Sequence, residues 1–371
     1  MKEHFLAIVI VVVAFISAKS APVESSQPPI RISQTEAAVR GVSPGEMAKV
    51  YEMVKTPHKV GVVLEPEEGK MLDNPNVFRY GDRWWMLYIQ FDRRGYETHL
   101  AESEDLVHWE KLGCVFPRGA AGSWDVAQAD GGPSLMDVRW DGPNTLGTFG
   151  GKYWMTYIGG AKEGYETDPL AIGIAYAPTP TNEWLRARAK PALAPSDSDS
   201  RPFERRTLYK SFVVDDPGRT LGARFVMYYN AKHEKTPQYE SIGMAVSDDM
   251  INWRRRGTGP VVANGMPGEA FAISGDPMVR KIGDLWVMFY FGCGWKPGAQ
   301  GAFETFAVSR DLVNWTKWED TPLIFPSEPW DAQHAHKPWV LRHEGITYHY
   351  YCAVGDRGRA LALATSEPIS K

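Results

Sequence analysis

Cysteine is scarce in this chain. Its 371 residues hold three, Cys114, Cys293 and Cys352, odd in number and far apart. They make no disulfide framework and lack metal-ligand spacing. Positive charge is not in excess either. The net charge of −4 and pI of about 6.2 remove the electrostatic case for a nucleic-acid partner. The apolar run Leu6–Ile16 covers 11 residues, too few to span a membrane comfortably. Lys2 precedes it and the small residues Ser17-Ala18-Lys19-Ser20-Ala21 follow it. That pattern reads as a secretory signal over residues 1–20, cleaved after Ser20, with an uncleaved anchor as the alternative. The mature chain is expected to be secreted or periplasmic, with no stable membrane span.

Aromatic residues are plentiful: 14 Trp and 16 Tyr. Strand packing accounts for most of them; a few left on an exposed rim would suit stacking on sugar rings. They also mark a repeat. Between Met71 and Gly113 the chain runs from Asn74-Pro75 through the apolar Val77–Tyr80 and turns at Gly81-Asp82. It continues through Trp84–Ile89, restarts at Tyr96-Glu97-Thr98, turns at Asp105-Leu106 and begins a fourth run at Trp109. Short strands between turn residues predict a four-stranded antiparallel sheet. The same elements return in the same order four more times, after Gly132-Pro133, Lys210-Ser211, Asp276-Pro277 and Lys337-Pro338. The Trp opening the fourth strand recurs at 109, 184, 253 and 315, in steps of 75, 69 and 62 residues. The reading is all-β, a five-bladed β-propeller, with a β-sandwich as the alternative. The propeller spans residues 58–371, and its first blade is expected over about 58 to 117.

Residues 21–57 form a linker and helical extension. After the Pro-rich 22–32, Thr35–Arg40 has helical propensity and ends at Gly41. Ser43 caps a second helix with Pro44 at its first position, and Met47, Val50, Tyr51 and Val54 share one face. Two short helices make no domain, so they must pack on this subunit or on another.

In a propeller the start of each inner strand and the loop between strands two and three lie on the same face. Loops on a rigid scaffold carry function, so this rim is where a site is expected. Asp73, Asp130, Asp276, His334, His336 and Lys337 all precede the proline anchors of inner strands. A turn role explains any one of these aspartates. Titratable groups from four blades at one channel mouth suit glycosidic cleavage, where one group protonates the leaving oxygen and another activates water. Glu97, Glu166, Glu240 and Glu304 hold equivalent blade positions, so most must be structural or substrate-contacting. Glu240 is the best acid among them if His336 is not one. Arg93, Arg94, Lys232, His233 and Lys235 also lie in rim loops. No cofactor is expected; His, Asp and Glu at the channel mouth could ligate a divalent cation, but no spacing motif marks a metal site.

On these residues the chain resembles the furanosidase- and fructosidase-type glycoside hydrolase propellers. It is most similar to glycoside hydrolase family 117, the α-neoagaro-oligosaccharide hydrolases. That family carries an N-terminal helix-turn-helix with a Ser-x-Ala-x-x-Arg motif, swapped between the subunits of a dimer. Thr35-Glu36-Ala37-Ala38-Val39-Arg40 matches it with Thr for Ser. The resemblance implies a homodimer and an inverting, exo-acting enzyme that releases a terminal α-linked sugar such as 3,6-anhydro-L-galactose from an oligosaccharide. It implies Asp73 as base, His336 as acid and Asp276 beside it, raising the imidazole pKa. Asp130, Glu240, His334 and Lys337 would contact substrate. A furanosidase, a propeller phosphorylase and a non-catalytic sugar-binding propeller are the alternatives.

Overall fold

The computed structural model describes residues 41–371 apart from 237, 265–271, 295–300 and 370–371. The signal, the linker and the Thr35–Arg40 motif lie outside the described residues.

The repeat folds as its punctuation demands. Unit one pairs Met71–Tyr80, Arg83–Phe91, Tyr96–Ser103 and Glu110–Phe116 in antiparallel order. Gly81, at φ +65°, makes the first turn, a conformation that costs glycine least. The second turn is built from side chains. Ser103 Oγ accepts from the N–H of Leu106 at 3.0 Å, and Asp105 Oδ1 accepts from those of Val107 and His108 at 2.9 and 2.8 Å. Asp249 and Asp311 accept the same two bonds in units three and four. These bonds offset a positive φ at Leu106, Met250 and Leu312, which non-glycine residues rarely adopt. Each turn delivers a Trp to the start of the outer strand. Trp109 meets Tyr350 of unit five edge-on at 5.9 Å, and Trp315 meets Tyr228 of unit three at 5.5 Å. The two tyrosine hydroxyls donate to the carbonyls of Leu106 and Leu312, so turn and unit boundary are fastened together.

Unit two comprises Gln128–Pro133, Tyr153–Gly160, Ala171–Ala177 and Leu185–Arg186. Units three and four begin at Thr207–Asp215 and Ala272–Ile282. They merge into one eight-stranded sheet because Tyr239-Glu240 pairs in parallel with Ala272-Ile273. Unit five holds His334–His343, Ile346–Gly355 and Gly358–Thr365. Its outer strand is His58–Leu64, with His58 opposite Thr365 and Leu64 opposite Leu361. This corrects the expected first blade, which does not begin near residue 58. Gly358–Thr365 would otherwise present an unpaired edge, and only the distant N-terminal strand covers it. The five inner strands touch in a closed cycle, the last against the first.

Pro44–Val54 is the one helix of this extension among the described residues. Ser43 caps it with a full capping box to Glu46. Met47, Val50 and Val54 are buried in the protein's own core, Tyr51 stacks on Trp318 at 5.1 Å, and Glu46 pairs with Arg310 of unit four. This helix therefore needs no second copy to bury its apolar face. No described helix is long and apolar enough to cross a membrane.

Candidate active site

The inner strands of units one, four and five break register at Asp73/Asn76, Gly275/Met278 and His336/Trp339. In each break the residue before proline has positive φ: Asn74 at +52°, Asp276 at +54° and Lys337 at +62°. Such conformations cost of order 1–3 kcal/mol each and collect at functional sites. In unit three the break falls at 209–210 and presents Tyr209 and Lys210.

Asp276, Glu240, His334, His336 and Lys337 line one cavity of about 180 Å³. Asp73 and Asp130 do not line it, although both are buried. Glu166, Arg359, Tyr209 and Asn230, not singled out as site residues, also stand on the wall. Glu166 and Arg359 obey the same-face rule, since each lies between the second and third strands of its unit or at the third strand's start. Of the repeated glutamates, Glu97 pairs with Arg118 and Glu304 with the buried His349. Only Glu166 and Glu240 face the cavity.

Both described cations of this wall are engaged. Lys337 Nζ lies 3.1 Å from Glu166, 3.4 Å from Asp73 and 3.8 Å from Asp276. Arg359 Nη1 lies 2.8 Å from Asp73 Oδ2. Burial would raise the Asp73 carboxyl, but Lys337 and then Arg359 outweigh it and hold the group well below its ordinary range. Asp73, His336 and Cys352 bring their donor atoms close enough to hold a metal ion. The Arg359 guanidinium stands among them, at 2.7 Å from His336 and 3.6 Å from Cys352, and serves there as the cation.

His336 departs from expectation. Its Nδ1 lies 3.1 Å from the Cys352 carbonyl, which only accepts, so Nδ1 carries the hydrogen. Nε2 then accepts from Arg359. Burial, followed by the Arg359 charge, drives the imidazole well below its usual pKa, and the opposing pull of Asp73 is smaller. The expectation that a carboxylate would keep His336 protonated is corrected: the arginine lies nearer and has the opposite effect. His334 is also pushed down, by burial and then Arg359. Its Nδ1 accepts the Ala302 N–H at 3.0 Å, leaving Nε2–H as a donor.

Glu240 stands on this wall beside Asn230. Burial pushes it up to about 7, against the Lys232 ammonium and a hydrogen bond from Asn230, while Glu166 and Asp276 add to the rise. Asn230 Nδ2 lies 2.9 Å from Glu240 and 3.4 Å from Asp276 and links the two. Burial raises Asp276 as well, against Lys337 and Lys210. The buried Tyr209 hydroxyl and Asn230 Oδ1 have no protein partner among the described residues, which leaves them for a polyhydroxylated ligand. Glu166 sits at φ +45°, a further strained non-glycine residue at this rim.

No family model matches the chain. Two solved structures, one described as a glycoside hydrolase and one as a BT0996–RGII complex, are 41% and 42% identical to it. Each superposes with a TM-score of 0.84 over 89% of this chain and 97% of its own. Among curated proteins, a β-1,2-mannobiose phosphorylase of Thermoanaerobacter sp. (strain X514) is 31% identical over 137 residues, 35% of this chain and 43% of that one. The chain spans about half the length of the curated relatives it matches. A structure from a study of mannoside phosphorylases and hydrolases of the GH130 family has a TM-score of 0.62 at 15% identity, a likeness of fold alone.

Proposed function

We propose that this chain, which belongs to the glycoside hydrolases, removes a terminal sugar from a branched oligosaccharide by hydrolysis. The observation that carries the reading is a pair of unlike carboxyls on one wall. Glu240 has a pKa near 7 and suits a general acid, whose ideal pKa lies near the working pH. Glu166, ion-paired to Lys337, is the charged carboxylate that activates water. It takes the base role the resemblance assigned to Asp73, which lies outside the cavity and holds Lys337 and Arg359 in place. Burial keeps Glu240 protonated, and the negative charges of Glu166 and then Asp276 add to it. His334, Tyr209 and Asn230 bind hydroxyls.

Exo action is supported by size. The cavity is smaller than the roughly 300–1,000 Å³ of pockets for drug-sized ligands, so it takes one sugar ring rather than a run of them. Hydrolysis over phosphorolysis is supported by charge. Lys337 and Arg359 are matched by Asp73, Glu166 and Asp276, which leaves no surplus cation among the described residues of the wall for a phosphate dianion. Inversion of the anomeric centre is retained from the family resemblance. For the substrate, the relative in complex with RGII favours side-chain oligosaccharides of that kind. The anhydrogalactose reading rests on the Thr35–Arg40 motif alone. Export, and a dimer formed through residues N-terminal to the described helix, stay part of the proposal; periplasmic fractionation and light scattering test them.

The deciding experiment incubates the mature protein and Glu240→Gln with RGII side-chain oligosaccharides, neoagarobiose and β-1,2-mannobiose, with and without phosphate. Release of one sugar from an RGII oligosaccharide without phosphate, lost in the variant, is the expected result. NMR of the fresh anomer reads inversion. Strictly phosphate-dependent turnover sinks the hydrolytic reading, and cleavage of neoagarobiose alone restores the agar substrate.

A further inference from the structure

A second, much smaller space of about 10 Å³ is bordered by Asn74, Asp130 and Lys210, among others. All three side chains are more than nine-tenths buried. Each turns one polar atom to no protein partner among the described residues: Asn74 Oδ1, Asp130 Oδ2 and Lys210 Nζ. The remaining polar atoms there are satisfied, since Asn74 Nδ2 donates to Asp130 Oδ1 at 2.7 Å. One donor and two acceptors facing a space of single-water size match the bonding of one water. It accepts from the ammonium and donates to the carboxylate and to the amide oxygen.

Lys210 is the buried charged residue of unit three's inner strand, which packs against the inner strand Ala272–Ile282 that carries Asp276. Burial pushes its ammonium down to about 8, and Asp276 and then Asp130 oppose this most strongly. Asp73, Lys337 and Glu304 also face it, and its Nζ stands 5.6 Å over the Trp339 ring.

We propose that Lys210 is a positioning residue: anchored by a water shared with Asp130 and Asn74, its ammonium joins that of Lys337 in holding Asp276 as a carboxylate. Asp276 in turn adds to the burial and the Glu166 charge that keep Glu240 protonated. This rests on the reading of Glu240 as acid and extends it to a cation that never meets substrate.

The test is the pH profile of kcat/KM for wild type, Lys210→Met, Lys210→Arg and the double variant Lys210→Met/Asp276→Asn, with melting curves to show that each folds. Lys210→Met is expected to lower kcat about tenfold with KM little changed, and to raise the acidic limb by about one pH unit. Lys210→Arg restores the profile. With Asp276 already replaced, Lys210→Met costs nothing further, because the two act in series. An unmoved acidic limb, or fully additive losses, overturns the proposal. If Lys210→Met does not fold, Lys210→Gln takes its place in the same cycle. A wild-type profile with no basic limb near pH 7 counts against Glu240 instead, so the two failures are told apart.

Discussion

The contrast between Glu240 and His336 gives the sharpest predictions at the scale of single residues. Loss of a general acid costs about 10²–10⁴-fold in rate. Glu240→Gln is expected to fall in that range and to lose its basic limb, measured on a substrate whose leaving group needs protonation. His336→Gln is expected to keep the basic limb and lose less than about 10²-fold, since the imidazole is occupied by bonds to the Cys352 carbonyl and from Arg359. Glu240 also sets a stability gradient. Its folded pKa, about 7, lies above the ordinary 4.5, so the folded state favours the protonated form. Native stability then falls as pH rises from about 4.5 to about 7, and the full penalty persists above that. Glu240→Gln has nothing to ionise. Denaturant melts should find it more stable than wild type at pH 8, by up to about 3 kcal/mol, with the gap closing at pH 4. The residues before each proline were legible from sequence because their order repeats. The order of influence around His336 was not. Arg359 belongs to the fifth unit's third strand, and nothing near residue 336 announces that a guanidinium will reach its ring before a carboxylate does.

Among elements, the side-chain turn that ends the third strand of units one, three and four is the device most exposed to mutation. Asp311→Ala removes two backbone N–H partners at a residue whose neighbour Leu312 holds a positive φ. The expected loss is about 1–3 kcal/mol, read as a drop in denaturation midpoint with activity intact at low temperature. Trp184 is fully buried at the equivalent boundary of unit two, and Trp184→Ala should cost about 3–5 kcal/mol. These elements were readable because a tryptophan after a Ser-x-Asp turn is a local signal. His58–Leu64 misled for the opposite reason. Seven residues of strand-like sequence look alike whether they open the next sheet or close the last one. Only the edge left by Gly358–Thr365 decides, and it lies at the far end of the chain.

For the whole molecule, that closing strand sets the limits of truncation. A variant starting at Gly41 keeps the helix and the seam and should melt cooperatively. One starting at Pro66 lacks His58–Leu64, uncovers the edge of the last unit and should aggregate or melt broadly in calorimetry. The seam also fixes when the enzyme can first exist. His58 meets Thr365 across 307 positions of sequence, so the contact that shuts the ring joins its first described strand to its last. Contacts this distant in sequence make closure slow. They also mean that no emerging fragment, however long, carries a working cavity. Arg359 and Lys337, which order its floor, arrive only in the final stretch. The fifth unit must then be made before the first bond can be cut, and the topology serves as a timer that keeps the unfinished ring inert.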